Sequence, residues 1–584
     1  MNSINTKNHY HDVLIIGSGG SGLTSALFAA DRKLDVAVIS KVHPLKSHTI
    51  AAQGGINASL GNITQDDWRW HAYDTIKASD WLADQDSVEE MCKGAPDMIH
   101  MLDQLGVEFD RTSDGKINQK IYGGQSTEFG KGKLAHRACY SKDKTGDSIM
   151  HQLFKAATSK QVSFYNYNFA IDLIMDKDQC RGVICWDIEN GVLNIIMANN
   201  VIIATGGYSQ IYATATSSAV CTGDGNGLAL RAGIALQDLE FIQFHPTTLS
   251  KIGILITEAA RSAGGRLLNA NGERFMEKYA PKFLELAARD VVARAIAEEI
   301  NNGHGCGPDK DHVLLDLTHL SEEEIKTQLP TIFENCSSFA KLNPSKQTIP
   351  IAPAAHYTMG GIPTDSNCQV VKYNDNQTTK IAGLYAIGEA ACISVHGASR
   401  LGCNSLLDLL VFAKKAVESL PSKNISNYEF TDHKKILADF NKIFIGKNIN
   451  IEQITKKMKN IMSHNVGVFR NKEGLSHALS EITKLQLEYQ NIAITDRSLV
   501  WNMELQHYFE LGNMLSSAIV TIRSALWRLE SRGAHWRQDY QEKNSKFHGH
   551  TMCHISANLE NILLRPIRTS VENVDFYQPT SRNY

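Results

Sequence analysis

Val13-Leu-Ile-Ile16-Gly17-Ser18-Gly19-Gly20-Ser21-Gly22-Leu23-Thr-Ser-Ala-Leu-Phe-Ala-Ala30 decides the fold. Four apolar residues suited to a buried strand run straight into a G-x-G-x-x-G turn, and an apolar stretch with helical spacing follows. Each glycine has its own physical task. Gly17 permits the tight turn, Gly19 lets the backbone approach a pyrophosphate, and Gly22 lets helix pack on strand. The helix N-terminus then offers free N–H groups and a partial positive charge to phosphates. A second apolar strand, Val36 to Ile39, arrives about twenty residues later, as a dinucleotide-binding unit requires. It ends in Ser40-Lys41 and not in the acidic residue that commonly holds an adenosine ribose.

Ser40 to Gly55, S-K-V-H-P-L-K-S-H-T-I-A-A-Q-G-G, is expected to be an extended loop whose two imidazoles and backbone-exposing double glycine line a cofactor. Later apolar strands return to the same place. Val201-Ile-Ile-Ala-Thr-Gly-Gly207 is one, and Gly383-Leu-Tyr-Ala-Ile-Gly-Glu389 is another, ending in a carboxylate suited to a ribityl hydroxyl. Val192 to Ile203, interrupted by three asparagines, reads as two strands. The fold class is α/β: a nucleotide-binding domain (1–238 and 351–424) interrupted by a charged, helical insertion (239–350). A helical domain (425–540), with apolar spacing in Met514 to Leu529, follows. The polar, poorly periodic tail (541–584) is expected to wrap the surface.

With 584 residues the chain has room for several domains, and a formal charge of -3 gives no reason to expect nucleic acid as a partner. No apolar run reaches the roughly 18–20 residues that span a bilayer. The N-terminus shows neither a secretory nor an import pattern. Eleven cysteines contain no C-x-x-C pair, which argues against a metal or iron–sulfur site held by this chain alone. Their odd number fits reduced thiols in a cytoplasmic compartment.

Five short motifs in the second half carry histidines, hydroxyls and arginines beside glycine-rich loops. They are Gln243-Phe-His245-Pro-Thr247, Thr257-Glu258-Ala-Ala-Arg261, Ala288-Arg289-Asp290-Val-Val-Ala-Arg294, His356-Tyr-Thr-Met-Gly-Gly361 and His396-Gly-Ala-Ser-Arg400-Leu-Gly-Cys403-Asn-Ser405-Leu406. A small dicarboxylate requires such groups: a guanidinium for bidentate binding, with imidazoles and a hydroxyl for the remaining oxygens.

The S-H-T triplet, the A-T-G-G strand end, the Thr222-Gly-Asp224-Gly segment, Tyr122-Gly-Gly-Gln-Ser126 and the five motifs together resemble the succinate dehydrogenase and fumarate reductase flavoprotein subunits. The closing Arg582-x-Tyr584 is also family-like. The resemblance implies FAD, bonded covalently through its 8α-methyl group to His48. It assigns flavin contacts to Gly17, Ser18, Gly19, Gly20, Ser21 and Gly22, then to Ser40, Lys41, Ser47, Thr49, Gln53, Gly54 and Gly55. Asp224, Glu389, Ser405 and Leu406 complete that set. It further implies that His245, Thr257, His356 and Arg400 bind the dicarboxylate, and that Arg289 exchanges the substrate proton through Glu258 and Arg261. Four departures stand out: Asp147 where histidine is usual, Tyr208-Ser-Gln210 for the usual A-G-R, Ala263 for glutamate, and Cys403 for a smaller residue.

Gln53 is usual in succinate-oxidising members and Thr358 leans toward quinol:fumarate reductases; the balance favours succinate oxidation. L-Aspartate oxidase lacks the covalent histidine, and the intact Arg289, Arg400 and His356 argue against a catalytically silent FAD-bearing assembly subunit. The family works through an iron–sulfur subunit and a quinone-binding membrane anchor, which implies a peripheral place at the cytoplasmic face of the bacterial inner membrane.

Overall fold

The protein, seen in a computed structural model, is described for residues 5–374, 377–421, 438, 440–570 and 577–579. Arg582 and Tyr584 lie outside them, as does much of the start of the expected helical domain.

The strand Thr6–Ile16 occupies the middle of an eight-stranded sheet. It pairs in parallel with Val36–Ser40 on one side and Val192–Ile203 on the other. Gln377–Ala386 adds in parallel to Val192–Ile203 through Leu384, Tyr385 and Ala386. The register puts Ile16 beside Ile39 and Ile203, and Ile203 beside Ala386. Four parallel strands thus release their chains at one edge, where ligands of open α/β sheets bind. The antiparallel strands Asn168–Asp176 and Gln179–Asp187 extend the sheet.

Val192–Ile203 is one twelve-residue strand, not the two expected. Its asparagines do not break it because its backbone is paired on both edges and buried amides can find partners along it, though Asn200 Oδ1 has none. The Asn194 amide, for one, donates to Asn168 at 2.8 Å. The glycine turn behaves as the sequence requires. Gly17 has φ 111°, and a Cβ there would lie 2.2 Å from the Ala204 carbonyl oxygen. A Cβ on Gly22 would lie 1.9 Å from the Gly17 oxygen, so the helix Gly20–Asp31 can pack this close only without one.

The insertion is less helical than its composition suggests. Ile242–Leu249, Ile349–Thr358, Val313–Asp316 and Arg266–Leu268 form a four-stranded sheet over which the helix Arg289–Glu299 packs. Two of its strands are only three and four residues long and charged helices separate the four, so average composition hides them. The expected boundary at 350 falls inside the strand Ile349–Thr358.

Three helices, Ile451–Asn465, Lys472–Tyr489 and Met503–Trp527, build the C-terminal unit. The tail is no surface wrap. Its strands His550–Cys553 and Leu563–Arg565 form a small sheet with Leu236–Gln237, burying His550, Thr551 and Arg565. Polar residues can be interior when each is paired, and here they are: His550 sits 2.6 Å from Asp238 and 3.2 Å from Asp84.

Candidate active site

At the sheet edge a cavity of about 470 Å³ runs from Ser40, Lys41 and Phe169, past Gly17 and Gly19, to His48, His356 and Arg400. Ser18, Ser21, Ser47, Thr49, Gln53, Asp224, Glu389, Ser405 and Leu406 also line it. Gly20, Gly22, Gly54 and Gly55 do not, and their place is in packing. A Cβ on Gly55 would lie 2.5 Å from the Cys139 oxygen, and one on Gly54 would meet the Cys403 sulfur at 3.5 Å. The double glycine thus seats its loop against neighbouring chain.

Nor is Ser40 to Gly55 fully extended, because two short 3-10 turns, Pro44–Lys46 and His48–Ala51, fold within it. Thr49 accepts the Gly20 N–H at 3.1 Å, tying the second turn to the helix start. Gly146 buttresses it from behind, donating its N–H to the Ala52 oxygen at 2.8 Å. Asp147, the next residue, points outward, 48% exposed and paired with His151, so this departure leaves the cavity untouched.

His48 accepts the Ser218 N–H at Nδ1, 3.2 Å away, which leaves Nε2 as the second ring nitrogen. Burial, with Arg400 adding to it, pushes its pKa down to about 4, so the imidazole is neutral and nucleophilic. At the opposite end Lys41 meets Asp224 and Glu510, both at 2.8 Å. Burial presses the ammonium's pKa down, but the two carboxylates outweigh it and the net shift is upward. Glu389 lies between. Burial lifts its pKa to about 7, against two hydrogen bonds from the Thr358 N–H and hydroxyl at 2.9 and 3.0 Å. Gln53 Oε1 is buried without a protein partner.

Arg400 also borders a second cavity of about 370 Å³, whose wall includes Glu258 and Arg289. Between the two lies a dense cluster. Arg289 donates from Nε to Glu258 at 3.0 Å, and its Nη1 stands 3.4 Å from both His356 Nε2 and the side-chain Oε1 of Gln243. Arg261 reaches the same Glu258 oxygen at 3.6 Å. Gly123, in the expected Tyr122 motif, donates its N–H to Glu258 at 3.0 Å. His245 meets the His356 ring edge-on at 4.9 Å. His245 and Thr257 are buried but lie in neither cavity wall.

Two guanidinium groups, Arg289 and Arg261, share the Glu258 carboxylate, and Arg400 adds a third cation close enough for Arg289 to act on it. Burial would raise the Glu258 pKa, but Arg261 and Arg289 hold it below the usual range. Burial and then Arg289 push Arg400 down to about 10. Burial also takes His245 and His356 well below the ordinary histidine value. Arg400 Nε, with Arg261 Nε and Nη2, has no hydrogen-bond partner. Arg400 stacks over Tyr357 at 4.4 Å and donates to Ser405 at 3.1 Å, fixing its plane. Cys403 occupies φ 66°, where glycine is easier, and burial lifts its thiol to about 11, so it stays protonated. Tyr208 and Gln210 brace the loop above: Tyr208 donates to the Leu239 oxygen at 3.0 Å and Gln210 to the Ser217 oxygen at 2.9 Å. Sequence motifs did not reveal Glu510, Thr216, Thr358 as a Glu389 donor, or Phe169. Glu510, Thr216 and Phe169 lie outside the motifs, and Thr358, though inside the fourth, meets Glu389 across 31 positions.

A family model described as FAD binding domain matches residues 12–406, and one described as fumarate reductase flavoprotein C-term matches 455–584. The succinate dehydrogenase flavoprotein subunit of Rickettsia bellii is 49% identical over 93% of this chain and 92% of its own. The mitochondrial succinate dehydrogenase [ubiquinone] flavoprotein subunit of Oryza sativa is 44% identical over 100% of this chain and 94% of its own. The structure superposes on a mutant FrdA chain of E. coli quinol fumarate reductase with a TM-score of 0.91 at 32% identity, covering 99% of each chain.

Proposed function

Because the chain belongs to the succinate dehydrogenase and fumarate reductase flavoprotein family, we propose that it is the catalytic subunit of a succinate dehydrogenase, oxidising succinate to fumarate. The observation that carries this reading is the surplus of buried cation at Arg261, Arg289 and Arg400 beside a cavity fit for a flavin dinucleotide. The fit rests on the glycine cradle, the N-terminus of the helix Gly20–Asp31, the Lys41 ammonium and the orphaned Gln53 oxygen.

FAD bound there supplies the acceptor for a hydride from one methylene carbon of succinate. The chain's own groups do the rest. Arg400, held flat by Tyr357 and Ser405, presents an unpaired N–H to a substrate carboxylate. His356, kept neutral and oriented by the Thr216 hydroxyl at 2.7 Å, donates a hydrogen bond without adding a charge. The proton from the adjacent carbon passes to Arg289, then to Glu258 at 3.0 Å and toward Arg261. Arginine is a poor base in water, but several like charges in a dry site disfavour one another's protonated forms. Reversed, the same groups would reduce fumarate. The flavin contacts and substrate residues assigned above, and the domain limits 1–238, 239–350, 351–424, 425–540 and 541–584, belong to this reading.

We further propose that His48, whose buried imidazole is neutral, would hold the flavin covalently at its 8α-methyl carbon. Acid precipitation should leave the flavin with the wild-type protein and release it from His48→Ser. Full release from wild-type protein that matured in its native cells would end the covalent proposal.

Electrons then need a carrier. The eleven cysteines are all free, and no cluster of three or more metal-ligating side chains occurs among the described residues. No helix among them is long and apolar enough to cross a membrane. An iron–sulfur subunit and a quinone-binding membrane anchor, at the cytoplasmic face of a bacterial inner membrane, fill that role in this reading. The deciding experiment is anaerobic mixing with succinate or aspartate. Succinate should bleach the flavin's visible absorption and aspartate should not; bleaching by aspartate alone would overturn the assignment.

A further inference from the structure

The second cavity has a function beyond housing Glu258 and Arg289. Its outer wall carries Lys77, Lys131, Lys133 and Lys282, while its only carboxylates are Asp74 and Glu258. Both carboxylates are already engaged. Asp74 accepts from Arg137 at 2.8 Å and from the Ser126 N–H and hydroxyl at 2.8 and 2.9 Å. Glu258 is held by Arg289, Arg261 and the Gly123 N–H. Lys131, Lys133 and Lys282 are exposed, and none forms an ion pair with a described residue. Lys282 instead lies over the Phe283 ring at 5.2 Å.

The loop that holds two of these lysines is strained and pinned. Glu128 and Phe129 both take positive φ, 54° and 55°, and Gly130 follows at 82°. For residues other than glycine such conformations are disfavoured and persist only where the surroundings enforce them. Here the base is cinched by the Thr127 N–H to the Lys133 oxygen at 2.9 Å and the Gly132 N–H to the Thr127 oxygen at 3.0 Å. A Cβ on Gly132 would lie 2.0 Å from the Thr127 hydroxyl, so this closure depends on glycine. Phe129 packs edge-on against Tyr73 at 5.9 Å. Lys131 and Lys133 are therefore presented at the rim by a built loop.

We propose that this cavity is the port through which the dicarboxylate reaches the site, and that Lys131, Lys133 and Lys282 steer it there. A dianion meets the unpaired ammonium groups first, then the guanidinium groups of Arg289 and Arg400 on the inner wall. The gradient runs from exposed to buried cation with no free carboxylate in the cavity wall, the exposed Glu128 of the same loop lying outside that wall, and a low-dielectric wall focuses such a field. The first cavity cannot serve once FAD fills it. This inference rests on the dicarboxylate reading of the site.

The test measures the association rate of malonate, a non-oxidisable dicarboxylate, with the full FAD-loaded chain by stopped flow on the flavin absorption. Lys131→Glu, Lys133→Glu and Lys282→Glu are made singly and together, with Lys484→Glu on the distant helix Lys472–Tyr489 as a control. At low salt the combined variant should associate about tenfold more slowly, with a dissociation rate within about twofold of wild type. The gap should close as salt approaches about 1 M, where the Debye length is about 3 Å. The control should match wild type. Equal association rates at low salt, a loss that ignores salt, or an equal loss in the control would overturn the port. Failure of wild-type protein to be reduced by succinate would instead overturn the functional reading, so the two failures are distinguishable.

Discussion

Two clusters of buried arginine in this molecule look alike by composition and differ in what their N–H groups touch. At the end of the helix Met503–Trp527, against the C-terminal tail, Arg528, fully buried, donates to Glu240 at 2.6 Å and to Glu530 at 2.9 Å. Its other N–H groups reach the Phe547 and Gly549 oxygens and the Thr551 hydroxyl at 2.7, 2.9 and 2.7 Å. In the candidate active site Arg261 and Arg400 are nearly as buried, at 2% and 4%, yet three of their nitrogens have no partner. Charged donors buried without a hydrogen-bond partner are costly, so their persistence marks a place that awaits an anion. The compensated cluster holds the tail against the body; the uncompensated one is a receptor.

Exchanging the properties of the two clusters should produce separable effects. The largest is expected at Arg289→Lys. Loss of a positioned acid/base lowers turnover by about 10²–10⁴-fold, and flavin reduction by succinate should fall that far while malonate still binds. Near wild-type reduction would move the proton-transfer role elsewhere, with Glu258 first in line. Next comes Arg528→Met, which leaves Glu240 and Glu530 buried without their shared cation. Breaking a buried pair costs about 3–5 kcal/mol, read as a lower urea midpoint. The activity of the molecules that remain folded should be unchanged; an unshifted midpoint would show that the tail cluster is not structural.

The tail should also impose a pH window. Burial and Arg565 press the His550 pKa down, but Asp238 and Asp84 outweigh them and hold it above its ordinary value. A raised histidine contributes stability that is complete below about pH 6.5 and lost as pH rises through the folded value. For Asp84, burial acts upward, but His550 and Arg565 prevail and hold the carboxyl well below its usual range. Its contribution is present above about pH 3.9 and lost as pH falls toward the folded value. His550→Gln should therefore flatten the alkaline arm of the urea midpoint measured across about pH 5 to 9, each pKa unit being worth about 1.4 kcal/mol. An unchanged arm would assign that dependence to other groups. The smallest effect is expected at Asp147→His, which restores the residue usual in the family at an exposed position. Stability should move by no more than about 0.5 kcal/mol and kcat/KM for succinate should hold. A large change in either would place Asp147 closer to the chemistry than its exposure shows.

The sequence made the receptor more legible than the tail. Strand, glycine turn and helix are local, so Gly17 to Gly22 reads from consecutive residues. The arginines and histidines of the site also sit in short motifs whose chemistry is visible one at a time. The pairing that distinguishes the two clusters is long-range. Glu510 meets Lys41 across 469 positions and Thr551 meets Glu240 across 311, so no window of sequence contains either. The tail's buried strands read as surface because polar residues signal solvent unless their partners are known. The insertion's sheet was missed because two of its strands, Arg266–Leu268 and Val313–Asp316, are too short to show a period and charged helices separate the rest.

The most direct test of the receptor idea compares malonate with propionate, which keeps the three carbons and gives up one carboxylate. Both are titrated into the oxidised FAD-loaded protein at one ionic strength, by calorimetry. Sites built to bind a polar group reject analogues lacking it by large factors because buried partners are left unpaired. Malonate should bind at least about 10²-fold more tightly than propionate, and Arg400→Ala should remove most of that difference. Equal Kd values for the two acids in the wild-type protein would contradict the claim that the unpaired guanidinium groups receive a dicarboxylate.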